Sequence, residues 1–172
     1  MSEHLRSLVR DVPDFPSPGI LFRDISPLLQ DPAGLRETMA ALIKPWKSTK
    51  ASYVAGMEAR GFILGPSVAV GLDAGFLPLR KPGKLPCAVV RQEYELEYGM
   101  AALELHRDAL SAGDRVVIVD DVLATGGTAR AAIRLVESLE ATVVGLAFLI
   151  ELTALNGRDG LENYRTESVI TY

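Results

Sequence analysis

Apolar residues along this chain follow two alternating rhythms. Val116, Val117, Ile118 and Val119 form an uninterrupted apolar run, the pattern of a strand covered on both faces, as in a parallel sheet. Residues 53–57 and 143–150 read the same way, and residues 168–171 suggest a final short strand. Residues 76–80 are shorter, and Pro78 places that strand at an edge or makes it irregular. Between these runs the period becomes helical. Leu35, Met39, Leu42 and Ile43 recur behind Asp31 and Pro32, an N-cap followed by proline at the first helical position, and Pro45 stops the run. Residues 62–72 and 129–140 also read as helices, with Pro66 marking an early turn or a kink. In residues 2–9, Leu5, Leu8 and Val9 share one face of a short helix. Residues 11–19, with Pro13, Pro16 and Pro18, read as an extended connector, and residues 20–25 as a strand with Phe22 in the core. Residues 87–95 and 100–106 suggest a hairpin in which Leu103, Glu104, Leu105 and His106 alternate as on a half-exposed strand. Trp46 is expected to be partly buried, and His4 gets no role. Strands alternating with helices predict an α/β fold: a mainly parallel central sheet flanked by helices.

Composition narrows this only a little. With 172 residues the chain is long enough for one domain with a sizeable core. A hydrophobic share of 48% and a charged share of 23% are ordinary for a globular protein. A net charge of −4 argues against a nucleic-acid surface, so any anion site must be built locally from amides and a few cations. Cys87, the single cysteine, has no internal partner, which suits a reducing compartment. No apolar run reaches membrane-spanning length and the N-terminus lacks a signal peptide's apolar core, so the expectation is a cytoplasmic protein with no membrane partner.

The candidate chemistry lies just beyond residues 116–119. Asp120 and Asp121 stand where that strand should end, and open α/β sheets bind ligands at the carboxyl ends of their strands. Ala124, Thr125, Gly126, Gly127 and Thr128 then make a turn of little side-chain bulk that opens a helix, whose free N–H groups and positive dipole end favour an anion. Ionised aspartate only accepts hydrogen bonds, whereas ribose 2′- and 3′-hydroxyls donate them. A 5′-phosphate lies across the ring from those hydroxyls and can reach the amides. A phosphosugar therefore fits both halves. A Walker A loop needs a Lys after its last glycine, and a dinucleotide turn has its acidic residue after the glycines; neither holds here. The plainer alternative, a tight strand–helix turn, leaves the acidic pair and the two threonines unexplained. Glu58 and Arg60 follow the strand at 53–57 and are either a surface ion pair worth little or part of a site. Residues 80–84 form a compact basic loop, suited to a diphosphate or to solvent.

Residues 116–128 resemble the phosphoribosyl diphosphate (PRPP) binding motif of the type I phosphoribosyltransferases. Residues 14–19, 22–27, 60–62, 80–81, 83–86, 96–99 and 151–153 are similar to the adenine-specific branch of that family, so the likeness runs from about Asp14 to Thr153. The resemblance implies a type I phosphoribosyltransferase fold in a single domain, 1–172, with a small N-terminal hood (about 1–30) and a flexible hairpin flap (about 87–106). It implies that Asp120 and Asp121 hold the ribose and that Ala124, Thr125, Gly126, Gly127 and Thr128 hold the 5′-phosphate. Leu21 would present backbone groups to adenine, with Phe22 stacked on one face and Val122 on the other. Arg60, in a loop with a non-proline cis peptide, would lie near base and diphosphate. Arg80 and Lys81 would meet the diphosphate, Arg80 across a homodimer interface. Glu97 and Tyr98 would sit on the flap, with Glu97 beside adenine N7. Met100 and Pro82 depart from the pattern, standing where basic residues are common.

The implied reaction is adenine plus PRPP giving AMP and diphosphate through an oxocarbenium-like state. Asp120, Asp121 and Glu97 are the catalytic candidates. Mg²⁺ would be carried mainly by PRPP oxygens and water, with no site made by protein alone. Two alternatives remain at this stage. One is a phosphoribosyltransferase for another purine. The other is a non-catalytic PRPP sensor, which usually carries a DNA-binding domain; only about a dozen residues precede Pro13 here.

Overall fold

The structure, a computed structural model, describes residues 3–95 and 99–172. Its centre is a five-stranded sheet in which every pairing is parallel. The strands are β3 (Tyr53–Met57), β4 (Gly75–Leu79), β7 (Arg115–Leu123), β8 (Thr142–Glu151) and β9 (Thr166–Thr171), in the order β4-β3-β7-β8-β9. Pro78 does lie on an edge strand. Helices α1 (Glu3–Ser7), α3 (Pro32–Ile43) and α4 (Gly61–Gly71) pack on one face and α5 (Gly127–Glu137) on the other. Side chains alternate along a strand, so β7 serves both layers. Val116 and Ile118 join Ala132, Leu135 and Val136 of α5, while Val117 and Val119 join Leu64 and Val68 of α4. The uninterrupted apolar run is thus a strand covered on both sides, each buried Val or Ile contributing about 1.5–3 kcal/mol.

Two small hairpins complete the molecule. Strands β1 (Arg10–Pro13) and β2 (Leu21–Asp24) pair antiparallel, and a short helix α2 (Ser26–Gln30) follows. Part of the expected connector is therefore strand, because Val12 and Pro13 find partners in Phe22 and Leu21. Strands β5 (Val89–Glu95) and β6 (Met100–His106) form the second hairpin, packed against α5. Asp31 caps α3 as expected, accepting from the Gly34 N–H at 2.6 Å.

Three expectations need correction. Trp46 is fully buried rather than partly so, because Gly145 leaves room for it: a Cβ there would stand 2.2 Å from Trp46 Cζ3. Phe22 is only half-buried and lines a cavity rather than the core. Strand β6 does not alternate between core and solvent, since Ala102, Leu103, Glu104 and Leu105 are all buried. Glu104 bridges to Arg80 through backbone hydrogen bonds of 2.9 and 2.7 Å, which draws the hairpin onto the sheet edge.

Candidate active site

Strands β3 and β7 are neighbours, but the chain leaves them in opposite directions, β3 towards β4 and β7 towards β8. At such a switch point the loops beyond the strand ends diverge and leave a crevice. The loop after β3 carries Glu58, Ala59 and Arg60, and the Glu58–Ala59 peptide is cis. Gly61 then opens α4 hard against β7: a Cβ on it would lie 2.8 Å from the Val119 carbonyl and 3.2 Å from Asp120 Oδ1.

Strand β7 runs to Leu123, three residues past the first aspartate, so both acids lie within the strand rather than after it. That places them on opposite faces. Asp121 is buried and its Oδ2 lies 2.6 Å from Arg60 Nε. Asp120 lines a cavity with the loop that follows, and its Oδ1 accepts from the Asp121 N–H at 2.9 Å. Burial, reinforced by the Asp121 charge, pushes the Asp120 carboxyl well above its ordinary value. Burial raises Asp121 too, against the pull of Arg60. With Asp121 buried and Asp120 half-buried beside it, the two carboxyls hold charge reluctantly, and cations or donor hydroxyls are what would relieve them.

Residues 124–128 and the start of α5 enclose a cavity of about 60 Å³, lined also by Met57, Asp120, Val122 and Phe148. Gly126 sits at φ 78°, where other side chains are strained. A Cβ on it would also lie 2.2 Å from the Gly157 carbonyl oxygen. Helix α5 has no side-chain cap and no acidic residue in its first turn, so no capping side chain of its own competes for its free N–H groups.

The basic loop is organised by Glu58 and Glu104, through partners that local sequence did not reveal. Glu58 does not pair with Arg60. Its carboxylate takes Lys84 Nζ at 2.6 Å, the Lys81 N–H at 3.1 Å and Arg80 Nε at 3.3 Å. Burial opposes ionisation of Glu58, yet these donors together hold its carboxyl below the ordinary value. From the other side, Glu104 accepts from the Gly83 N–H at 2.9 Å. Arg80 and Lys84 are thus gathered by carboxylate, with Lys81 exposed beside them.

On the far side of Arg60 lies a cavity of about 500 Å³ between the β1–β2 hairpin and α4, lined by Phe15, Phe22, Ser26 and Ile63 among others. Phe15 meets Phe22 edge-on at 5.2 Å, and the Arg60 guanidinium stands 5.0 Å from the Phe22 ring centre. Leu21 is exposed at the same rim strand. Phe22 and Val122 therefore line different cavities, with Arg60 and Asp121 between them. Glu97 and Tyr98 lie outside the described residues. Pro82 and Met100 both line a third cavity of about 450 Å³ with Lys81 and Arg91, so the two departures from the pattern occupy one surface.

An acidic pair beside an amide-lined loop at a parallel switch point defines a class, and comparison bears this out. The family model described as the phosphoribosyl transferase domain matches residues 25–170. The chain is 58% identical over 170 residues to the adenine phosphoribosyltransferase of Methylococcus capsulatus, covering 99% of each. Its fold is similar to the crystal structure of adenine phosphoribosyltransferase from Rhodothermus marinus, with TM-score 0.95 and 51% identity over 99% of this chain and 97% of that one. It is similar also to the Saccharomyces cerevisiae enzyme, solved with an imino-altritol bisphosphate and adenine, with TM-score 0.92 and 40% identity over 97% of each chain. The chain belongs to the phosphoribosyltransferases and, within them, to the adenine phosphoribosyltransferase family.

Proposed function

We propose that the chain transfers the phosphoribosyl group of PRPP to adenine, giving AMP and diphosphate in purine salvage. The observation that carries this reading is the sharing of one crevice by Asp120 and the residue 124–128 loop, with Arg60 paired to the adjoining Asp121 and reaching on to the Phe22 cavity. The ribose hydroxyls sit on Asp120 and Asp121, the 5′-phosphate at residues 124–128, and adenine against Phe22 and the Leu21 backbone, with Val122 facing it once the crevice is filled. Arg60 stands between base and diphosphate, and Arg80 and Lys81 receive the diphosphate. In the reaction the bond from the anomeric carbon to diphosphate breaks, the bond to adenine N9 forms, and the N9 proton passes to the departing diphosphate or to water. The two aspartates favour the positive charge that develops on the ring. Glu97 is assigned hydrogen bonding to, or protonation of, adenine N7, and Tyr98 a place on the closing flap.

Among the described residues no three His, Cys, Asp or Glu side chains cluster as a metal site. Asp120 and Asp121 would offer carboxylate oxygens near a Mg²⁺ carried mainly on the oxygens of PRPP. Bound so, it would offset charge on the departing diphosphate. No helix among the described residues is long and apolar enough to cross a membrane. The lone Cys87 suits a cytoplasmic setting. A homodimer completes the proposal.

A diphosphate-release assay with adenine, xanthine and guanine side by side tests it. Adenine should be the preferred acceptor, yielding AMP. Preference for a 6-oxopurine would shift the reading to another purine, and PRPP binding without release would make the protein a sensor.

A further inference from the structure

The turn signals at Asn156–Gly157 and Asp159–Gly160 have no place in the reaction as described, yet this turn lies directly against the phosphate loop. A Cβ on Gly157 would stand 2.2 Å from the Ala124 carbonyl oxygen and 2.9 Å from Leu123 Cγ, and the reciprocal approach on Gly126 is just as close. Two connections hold the turn there. Arg158 grips the buried Glu151 carboxylate at the end of β8 with bonds of 2.7 and 2.8 Å. Arg130, in the first turn of α5, donates from Nη1 to the Asp159 carbonyl at 2.7 Å. The same Nη1 would lie 2.7 Å from a Cβ on Gly126, and Arg130 Cδ 3.0 Å from one on Gly160. Its backbone N–H meanwhile bonds to the Gly126 carbonyl at 3.0 Å.

Arg130 thus touches the phosphate loop from within the helix and ties it to the turn behind. We infer that Arg130 is a positioning residue for the donor's 5′-phosphate: it fixes the 124–128 loop against the 156–160 turn and places a cation next to that loop. The inference rests on the phosphate being bound there, as proposed above. In a chain of net charge −4, a guanidinium at this point counters a field that would otherwise repel a phosphate. A lysine cannot reproduce it fully, because the planar fork holds Nη1 in place while leaving the rest of the charge forward.

The test compares wild type, Arg130→Met and Arg130→Lys by steady-state kinetics, by calorimetric titration with ribose 5-phosphate, and by thermal melting. Arg130→Met should raise the KM for PRPP about tenfold, the scale of a slightly misplaced binding group. The KM for adenine and kcat should stay within about twofold. Ribose 5-phosphate affinity should fall by a similar factor, and Arg130→Lys should lie between. An unchanged KM for PRPP overturns the inference, as does a uniform loss of kcat and both KM values together with a lowered melting temperature. If Arg130→Met does not melt cooperatively, Arg130→Lys decides: a wild-type KM for PRPP overturns the inference. Should wild type release no diphosphate with any purine, the functional reading fails while the titration still judges Arg130. Absence of ribose 5-phosphate binding to wild type removes both.

Discussion

Asp120 and Asp121 set function against stability. Burial raises the carboxyl of each, so the folded state binds protons more readily than the unfolded chain does. For a raised carboxyl, folding stability falls as pH rises through the folded-state value. Asp120→Asn keeps the acceptor for the Asp121 N–H and removes one charge. It should therefore stabilise the ligand-free protein by about 0.5–2 kcal/mol at pH 8, the common gain when a functional conflict is relieved. The gain should shrink as pH falls, which urea unfolding at several pH values will show. Asp121→Asn should lower turnover by roughly 10- to 1000-fold with the fold intact, the scale of lost transition-state electrostatics. Kinetics unchanged from wild type would remove Asp121 from the mechanism. The acidic and glycine pairs are readable in sequence because they lie within one strand–turn–helix. Glu58, Glu104 and Arg130 are not. Their partners lie 22 to 26, 21 and 29 positions away, beyond any local window.

Element placement depends on close backbone approach. Gly61 lets α4 start against β7, and the same approach brings Arg60 to Asp121. Gly61→Ala would force a Cβ to within 2.8 Å of a backbone carbonyl that has little freedom to move. It should cost about 1–3 kcal/mol in urea unfolding, the range for overpacking. It should also weaken binding of both substrates, since it shifts the residue lying between their sites. The N-terminal hairpin behaves differently. Ser26, through side-chain and backbone hydrogen bonds, and then Arg10 hold the Asp24 carboxyl down at about 2. A depressed carboxyl stabilises the fold above its unfolded value and loses that contribution as pH falls towards the folded one. Asp24→Asn should therefore destabilise the protein at neutral pH, and the difference from wild type should fade between about pH 4 and about pH 2. Melting curves across that window check it. Strands β3, β7 and β8 were readable because a parallel sheet demands long apolar runs. The four-residue β1 was not, because its stability comes from pairing with β2 around a proline-rich turn.

At the scale of the molecule, the sheet buries both its faces, yet α4 leaves apolar side chains outside. Ile63 and Val70, seven positions apart and so on one helix face, are 49% and 83% exposed. Ile63 shares a cavity with Phe15, itself 52% exposed, and Ile20 and Leu21 on the same hairpin are exposed too. Apolar surface gathered this way marks an interaction face, whereas the exposed Leu155 stands on a separate turn. The proposed homodimer gives that face a partner, and it gives Arg80 a second active site to reach. A stable dimer of this kind hides about 1,200–2,000 Å² in total, and a charge at its apolar centre is costly. Val70→Glu, at a position with no polar role inside the chain, should therefore halve the mass seen by sedimentation while the isolated subunit keeps its melting transition. If Arg80 works across the interface, specific activity should fall with the mass and recover as protein concentration rises. A Val70→Glu variant that remains dimeric and fully active would move the interface away from α4, and a monomeric, fully active wild type would leave Arg80 to act within its own subunit.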